Sequence, residues 1–145
     1  MYYISYGSNL NISMMKKRCP NSTPIFELNS NKINKIENYK LIFNKYANIK
    51  YEKKSFLPIG LWKITKSCEK TLDLYEGFPT VYKKKYVQIG SIIAMIYFMN
   101  NLNIKDPPKS YFKEVVRGYK DFNLDLDYLY NSLNNKETYV NYFDR

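Results

Sequence analysis

A chain of 145 residues with 45% hydrophobic and 17% aromatic residues can bury a core and does not read as a disordered segment. It carries a formal charge of +10 and no histidine, which excludes the commonest general base, the usual zinc ligand and the Ser-His or Cys-His pairs, leaving acid–base work to Glu, Asp, Lys, Tyr or Cys. Arginine stands only at Arg18, Arg117 and Arg145, and the lysines are spread along the chain, a pattern that fits a solvated basic surface better than a nucleic-acid face.

No internal repeat or long Gly/Ser/Pro linker interrupts the chain, so a single domain over 1–145 is expected, with its core at about residues 2–133. Tyr2–Tyr6 reads as a first strand. Met1–Ser5 lacks a basic stretch leading into a long apolar one, so no signal peptide is expected. Asn11 or Ser13 can cap a short helix ending before Pro20. Cys19 and Cys68 have neither CxxC nor metal spacing, and are expected as buried thiols in a reducing cytoplasm. Ile25–Leu28 and Tyr39–Phe43 read as strands, residues 47–55 as a polar loop, and Phe56–Ile64 as a strand with Pro58 near its start or an edge.

Ser67 is the expected cap of a second helix that runs through Leu72 and Tyr75 and stops at Gly77. Tyr86–Ile89 and Ile92–Met99 flank Gly90-Ser91 as a hairpin. The second run is the longest apolar stretch, eight residues against the about 20 that span a bilayer, so no membrane segment is expected. Pro107-Pro108 breaks the chain, Ser110 is read as the cap of a helix ending at Gly118, and Leu126, Leu129 and Leu133 mark one apolar face of a last helix. The tail after Asn134 reads as loosely held. Clustered strands without regular βα alternation predict an α+β fold with a largely antiparallel or mixed sheet that can curl into a barrel.

Two strings carry chemistry. In Tyr6-Gly7-Ser8-Asn9-Leu10 a glycine turn follows a strand and offers backbone N–H groups to an anion or developing oxyanion; its glycine spacing is not that of a Walker loop or dinucleotide fingerprint. In Leu72-Asp73-Leu74-Tyr75-Glu76-Gly77-Phe78-Pro79, Glu76 sits at a helix C-terminus, where the dipole is unfavourable to a carboxylate. Leu72, Phe78 and Pro79 are expected to desolvate it further, and both effects raise its pKa toward the range useful for proton transfer near neutrality. Taken separately, each string has an ordinary structural explanation: a solvated glutamate at a helix stop, and a strand-to-helix turn.

Taken together they resemble the γ-glutamylcyclotransferase-like superfamily, including the AIG2-like proteins. Arg18-Cys19-Pro20, Pro58-Ile59-Gly60-Leu61-Trp62, Tyr82, Ala94-Met95-Ile96-Tyr97, Pro107-Pro108-Lys109-Ser110-Tyr111 and Gly118 extend the likeness over nearly the whole chain. The resemblance implies a small mixed, largely antiparallel β-barrel flanked by helices, with one pocket. It also implies intramolecular aminolysis of a γ-glutamyl amide, giving 5-oxoproline and a free amine or amino acid. On this resemblance Glu76 is the general acid/base. Tyr6, Gly7, Ser8, Asn9 and Leu10 form the loop that binds the γ-glutamyl group, and Tyr82, Tyr97 and Tyr111 are pocket tyrosines. No metal or other cofactor is implied; the partner is a small γ-glutamyl molecule rather than nucleic acid or membrane, and the location is cytoplasmic. The competing readings are a non-catalytic ligand-binding or interaction module on the same fold and, third, a basic nucleic-acid-binding domain.

Overall fold

Tyr2–Ser5 forms β1, the middle strand of a five-stranded sheet in this computed structural model, which describes residues 1–143. Its neighbours are β7 (Gly60–Lys63), antiparallel with Tyr3 opposite Trp62, and β9 (Ile92–Phe98), parallel with Tyr3 opposite Met95. The outer strands are β2 (Thr23–Ile25) beside β7 and β8 (Lys83–Ile89) beside β9. Gly90 turns the β8–β9 hairpin with a φ of 56°, a left-handed conformation that glycine adopts without strain. Glu27–Leu28 (β3) and Asn31–Lys32 (β4) form a small hairpin. Lys35–Asn44 (β5) and Tyr46–Pro58 (β6) form a long antiparallel ribbon.

The α+β class and the mixed, largely antiparallel sheet are as expected. The closed barrel is not: the five-stranded sheet ends on β2 and β8, and the β5–β6 ribbon is a separate pair. Residues 47–55 are strand rather than loop. Ala47, Asn48 and Ile49 are buried at the tip half of the ribbon, whereas Lys50–Lys54 are solvated, so polar composition here marks exposure rather than irregular backbone. At the bulge between Glu37 and Tyr39, Asn38 takes a φ of 68°, and its side-chain oxygen accepts from the Lys54 N–H at 3.1 Å. The strand expected over 56–64 is divided at Ile59, and that over 25–28 at Phe26.

Among the described residues four α-helices complete the fold: α1 (Ile12–Arg18), α2 (Lys66–Glu76), α3 (Lys109–Asp121) and α4 (Leu126–Asn131). Asn11 caps α1, accepting from the Met14 N–H at 3.1 Å. α2 is capped by Thr65, which accepts from the Cys68 N–H at 3.1 Å, not by Ser67. α3 starts directly after Pro108 with no side-chain cap, so Ser110 lies inside it. α3 also runs past Gly118. That glycine is where the helix backbone meets the Leu10 turn: a Cβ there would stand 2.3 Å from the Leu10 Cβ and 2.6 Å from its carbonyl carbon. Trp62, Leu10, Met15, Leu72, Phe112 and Tyr119 are among the fully buried side chains. The chain after Asn134 is held more firmly than expected. Lys136–Phe143 is a 3-10 helix, and Tyr139 packs edge-to-face on Phe112 with ring centres 4.9 Å apart and donates to the Pro107 carbonyl.

Cys19 and Cys68 are buried as expected, but they form a disulfide with Cα atoms 5.2 Å apart. It joins the end of α1 to the first turn of α2, the helix that carries Glu76. The two cysteines lie 49 positions apart, a spacing with no pairing signal of its own. Among the described residues no helix is long and apolar enough to cross a membrane.

Candidate active site

Glu76 is the last residue of α2. Gly77 follows with φ 64° and ψ 37°, a left-handed C-cap that ends the helix and returns the chain. The Glu76 carboxylate faces a cavity of about 370 Å³ between α2, the Gly7–Asn9 turn, β9 and the tip of the β5–β6 ribbon. Tyr6, Gly7, Ser8, Asn9, Glu76, Tyr82, Tyr97 and Tyr111 all line it. Leu10 does not. Its side chain points into the core toward Gly60 and Gly118, and its N–H closes the turn on the Gly7 carbonyl at 3.1 Å. Tyr3, Tyr46, Ala47 and Tyr75 complete much of the wall.

Burial pushes the Glu76 carboxyl up to about 7, and the Arg18 guanidinium pulls against that rise. Of the neighbours expected to desolvate it, Leu72 is fully buried whereas Phe78 and Pro79 are exposed; tyrosines line the cavity on its other sides. Glu76 has no hydrogen-bond partner among the described residues, so its proton-accepting face is left to the cavity. The wall phenols Tyr3, Tyr6, Tyr82, Tyr97 and Tyr111 are held above their ordinary pKa, burial being the largest cause for each. At neutral pH they are hydrogen-bonding groups rather than charges.

The directions of their hydrogen bonds divide them. Tyr6 donates to the Tyr97 carbonyl at 2.7 Å, Tyr82 to the Ala47 carbonyl at 2.6 Å, and Tyr97 to the Asp73 carboxylate at 2.6 Å. Each of these phenols has its proton committed to the protein and retains an oxygen lone pair. Tyr111 is the reverse: its oxygen accepts from the Ala47 N–H at 3.1 Å and faces the Ser8 N–H, so its own proton remains free. Tyr3 likewise accepts from the Asn9 amide at 3.0 Å. Arg18 sets that amide's orientation by donating to the Asn9 side-chain oxygen, while its guanidinium lies 3.7 Å from the centre of the Tyr75 ring. The site therefore combines acceptors (Glu76, Tyr6, Tyr82, Tyr97) with donors (Tyr3, Tyr111). A molecule bearing both an amine and carbonyl or carboxylate oxygens needs both kinds.

Tyr3, Arg18, Tyr75 and Asp73 were not singled out as site residues from sequence. Tyr3 lies within β1, three positions before Tyr6, and Arg18 closes α1, so neither carries a local signal beyond its type. Asp73 lies in the same string as Glu76, one helical turn earlier.

No family model matches the chain, and no curated protein matches it in sequence. Its fold is shared with solved structures. A γ-glutamyl cyclotransferase superposes with a TM-score of 0.77 at 23% identity, covering 91% of this chain and 85% of that one. An uncharacterised human protein, loc79017, superposes with a TM-score of 0.74 at 23% identity, covering 90% and 85%. A looser likeness, TM-score 0.52 at 15% identity over 72% of this chain and 81% of the other, is to the uncharacterised protein PH0828 from Pyrococcus horikoshii. The chain has the γ-glutamylcyclotransferase-like fold.

Proposed function

We propose that the chain is a γ-glutamylcyclotransferase-like enzyme that cyclises a γ-glutamyl amide to 5-oxoproline and releases the amine or amino acid. The observation that carries this reading is Glu76: a carboxylate raised to about 7, with no hydrogen-bond partner among the described residues, facing a hydroxyl-lined cavity on this fold. In the proposed reaction Glu76 takes a proton from the substrate's α-ammonium. The freed nitrogen lone pair attacks the γ-carbonyl carbon, forming the ring C–N bond. The original γ-amide C–N bond then breaks as Glu76 returns the proton to the departing nitrogen; the ring nitrogen gives up its second proton through Glu76 to the released amine, so that 5-oxoproline leaves as a neutral lactam and the amine as an ammonium. A group with a pKa near 7 serves both steps at neutral pH.

Ring closure is unimolecular, so holding the glutamyl chain folded supplies much of the acceleration. The negative charge that develops on the γ-carbonyl oxygen needs donors. The free Tyr111 proton and the N–H groups of Gly7 and Asn9 are the candidates for that role, with the Tyr3 proton available to the α-carboxylate. The cytoplasmic placement rested on free thiols, and the Cys19–Cys68 disulfide removes that support. The test is mass-spectrometric detection of 5-oxoproline from a panel of γ-glutamyl dipeptides, γ-glutamyl-ε-lysine and glutathione. Stoichiometric 5-oxoproline and free amine are expected from at least one member. Release from none of them would move the assignment to a binding module on the same fold.

A further inference from the structure

Asp73 lies one turn before Glu76 on α2, outside the cavity wall. Its carboxylate accepts the Tyr97 hydroxyl proton at 2.6 Å and pairs with Lys84 at 2.9 Å. Lys84 also reaches Glu69, one turn earlier on the same helix, at 2.7 Å. Only 9% of the Lys84 side chain is exposed, and its ammonium lies 4.4 Å from the centre of the Phe78 ring. This is a tightly held group for a lysine, and it ties α2 to β8. Tyr97 is fixed at its other end as well, because its carbonyl accepts the Tyr6 hydroxyl at 2.7 Å.

A carboxylate only accepts, so Asp73 decides which way the Tyr97 O–H points. With the proton turned toward Asp73, the phenol oxygen has only its lone pair for the cavity, where it can receive an N–H but cannot serve an oxygen of the substrate. A neutral acceptor beside Glu76 matches what a substrate ammonium needs. One N–H is lost to Glu76, and another must be held so that the nitrogen lone pair faces the γ-carbonyl.

We propose that Asp73, fixed by Lys84, is a positioning residue that sets the Tyr97 hydroxyl as an acceptor for the substrate's α-amino group. This rests on the cyclisation reading. It assigns amine recognition to a residue that touches no substrate. In Asp73→Asn the amide can donate to the Tyr97 oxygen, which reverses the phenol's polarity with little change of volume. Tyr97→Phe removes the acceptor while leaving the Asp73–Lys84 pair in place, and so covers the case in which Asp73→Asn does not fold.

The experiment compares KM for a γ-glutamyl amide with Ki for the glutaryl amide that lacks the α-amine, in wild type, both single variants and the double variant. The expected result is a KM raised about tenfold in each variant, in line with loss of one hydrogen bond to a charged group, with the Ki of the glutaryl amide held within about twofold. The double variant should be no worse than either single one. Equal weakening of both ligands, or no change in either, overturns the assignment while the enzyme reading stands. Absence of wild-type turnover on every γ-glutamyl compound overturns the reading and the assignment together.

Discussion

A Cβ on Gly7 would stand 2.8 Å from the Tyr111 phenol oxygen and 3.0 Å from the Ala47 Cβ. Gly7 has a φ of −124°, so what it supplies is space rather than a left-handed backbone. The close approach lets the Tyr111 oxygen accept the Ala47 N–H and keep its proton for the cavity. Gly7→Ala is expected to push the Tyr111 ring off that N–H, raising KM by about tenfold and costing roughly 1–3 kcal/mol of stability. Steady-state kinetics and a thermal melt check both.

The raised Glu76 carboxyl sets a pH dependence with a definite sign. As a base it must be ionised, so kcat/KM should climb through a midpoint at about 7 as pH rises. Stability should run the other way. The native state holds this proton up to about 7 whereas the unfolded chain loses it near the ordinary 4.5, so stability falls as pH rises between those values. Glu76→Gln removes the penalty. It should therefore stabilise the protein by about 1–3 kcal/mol at pH 8 and by little at pH 4, measured by denaturant unfolding at both pH values.

Arg18 opposes the rise in Glu76 and orients Asn9 toward Tyr3. Arg18→Met should move the kcat/KM midpoint upward and lower the rate at pH 7 roughly two- to fivefold. A pH profile separates this from a simple loss of binding, which would lower the whole curve without moving its midpoint.

The Cys19–Cys68 bond closes a loop between residues 49 positions apart. On the chain-entropy account such a crosslink stabilises by about 2–4 kcal/mol. Reductant should therefore lower the unfolding midpoint in denaturant, and thiol titration of the unfolded, non-reduced protein should find neither cysteine free.

The parts of the site that follow local rules were readable from the residues. Gly77 stops α2 because glycine enters the left-handed region freely, and that stop leaves Glu76 as the last helical residue. Tyr6, Gly7, Ser8 and Asn9 were readable as a turn after a strand. Leu10 shares their string, but its apolar side chain turns into the core against α3, a direction set by tertiary packing. Tyr39–Phe43 was readable as part of β5, but residues 47–55 of β6 escaped because Lys50, Glu52, Lys53 and Lys54 show no buried-face alternation, their strand segment being solvated. The Asp73–Lys84 tie and the disulfide join different elements, and no spacing rule predicts such meetings. Glu76 was expected to be desolvated by Leu72, Phe78 and Pro79. Leu72 is fully buried, Phe78 and Pro79 are exposed, and tyrosines from β1, β9 and α3 and Tyr82 line the cavity that Glu76 faces.

The central claim is that Glu76 moves the proton in a cyclisation. The most direct measurement is 5-oxoproline release by wild type and Glu76→Gln on the same γ-glutamyl substrate, with calorimetric binding of that substrate to the variant. The account predicts a loss of turnover by a factor of at least about 10² with binding retained within a few-fold. Near-wild-type release by Glu76→Gln would contradict it.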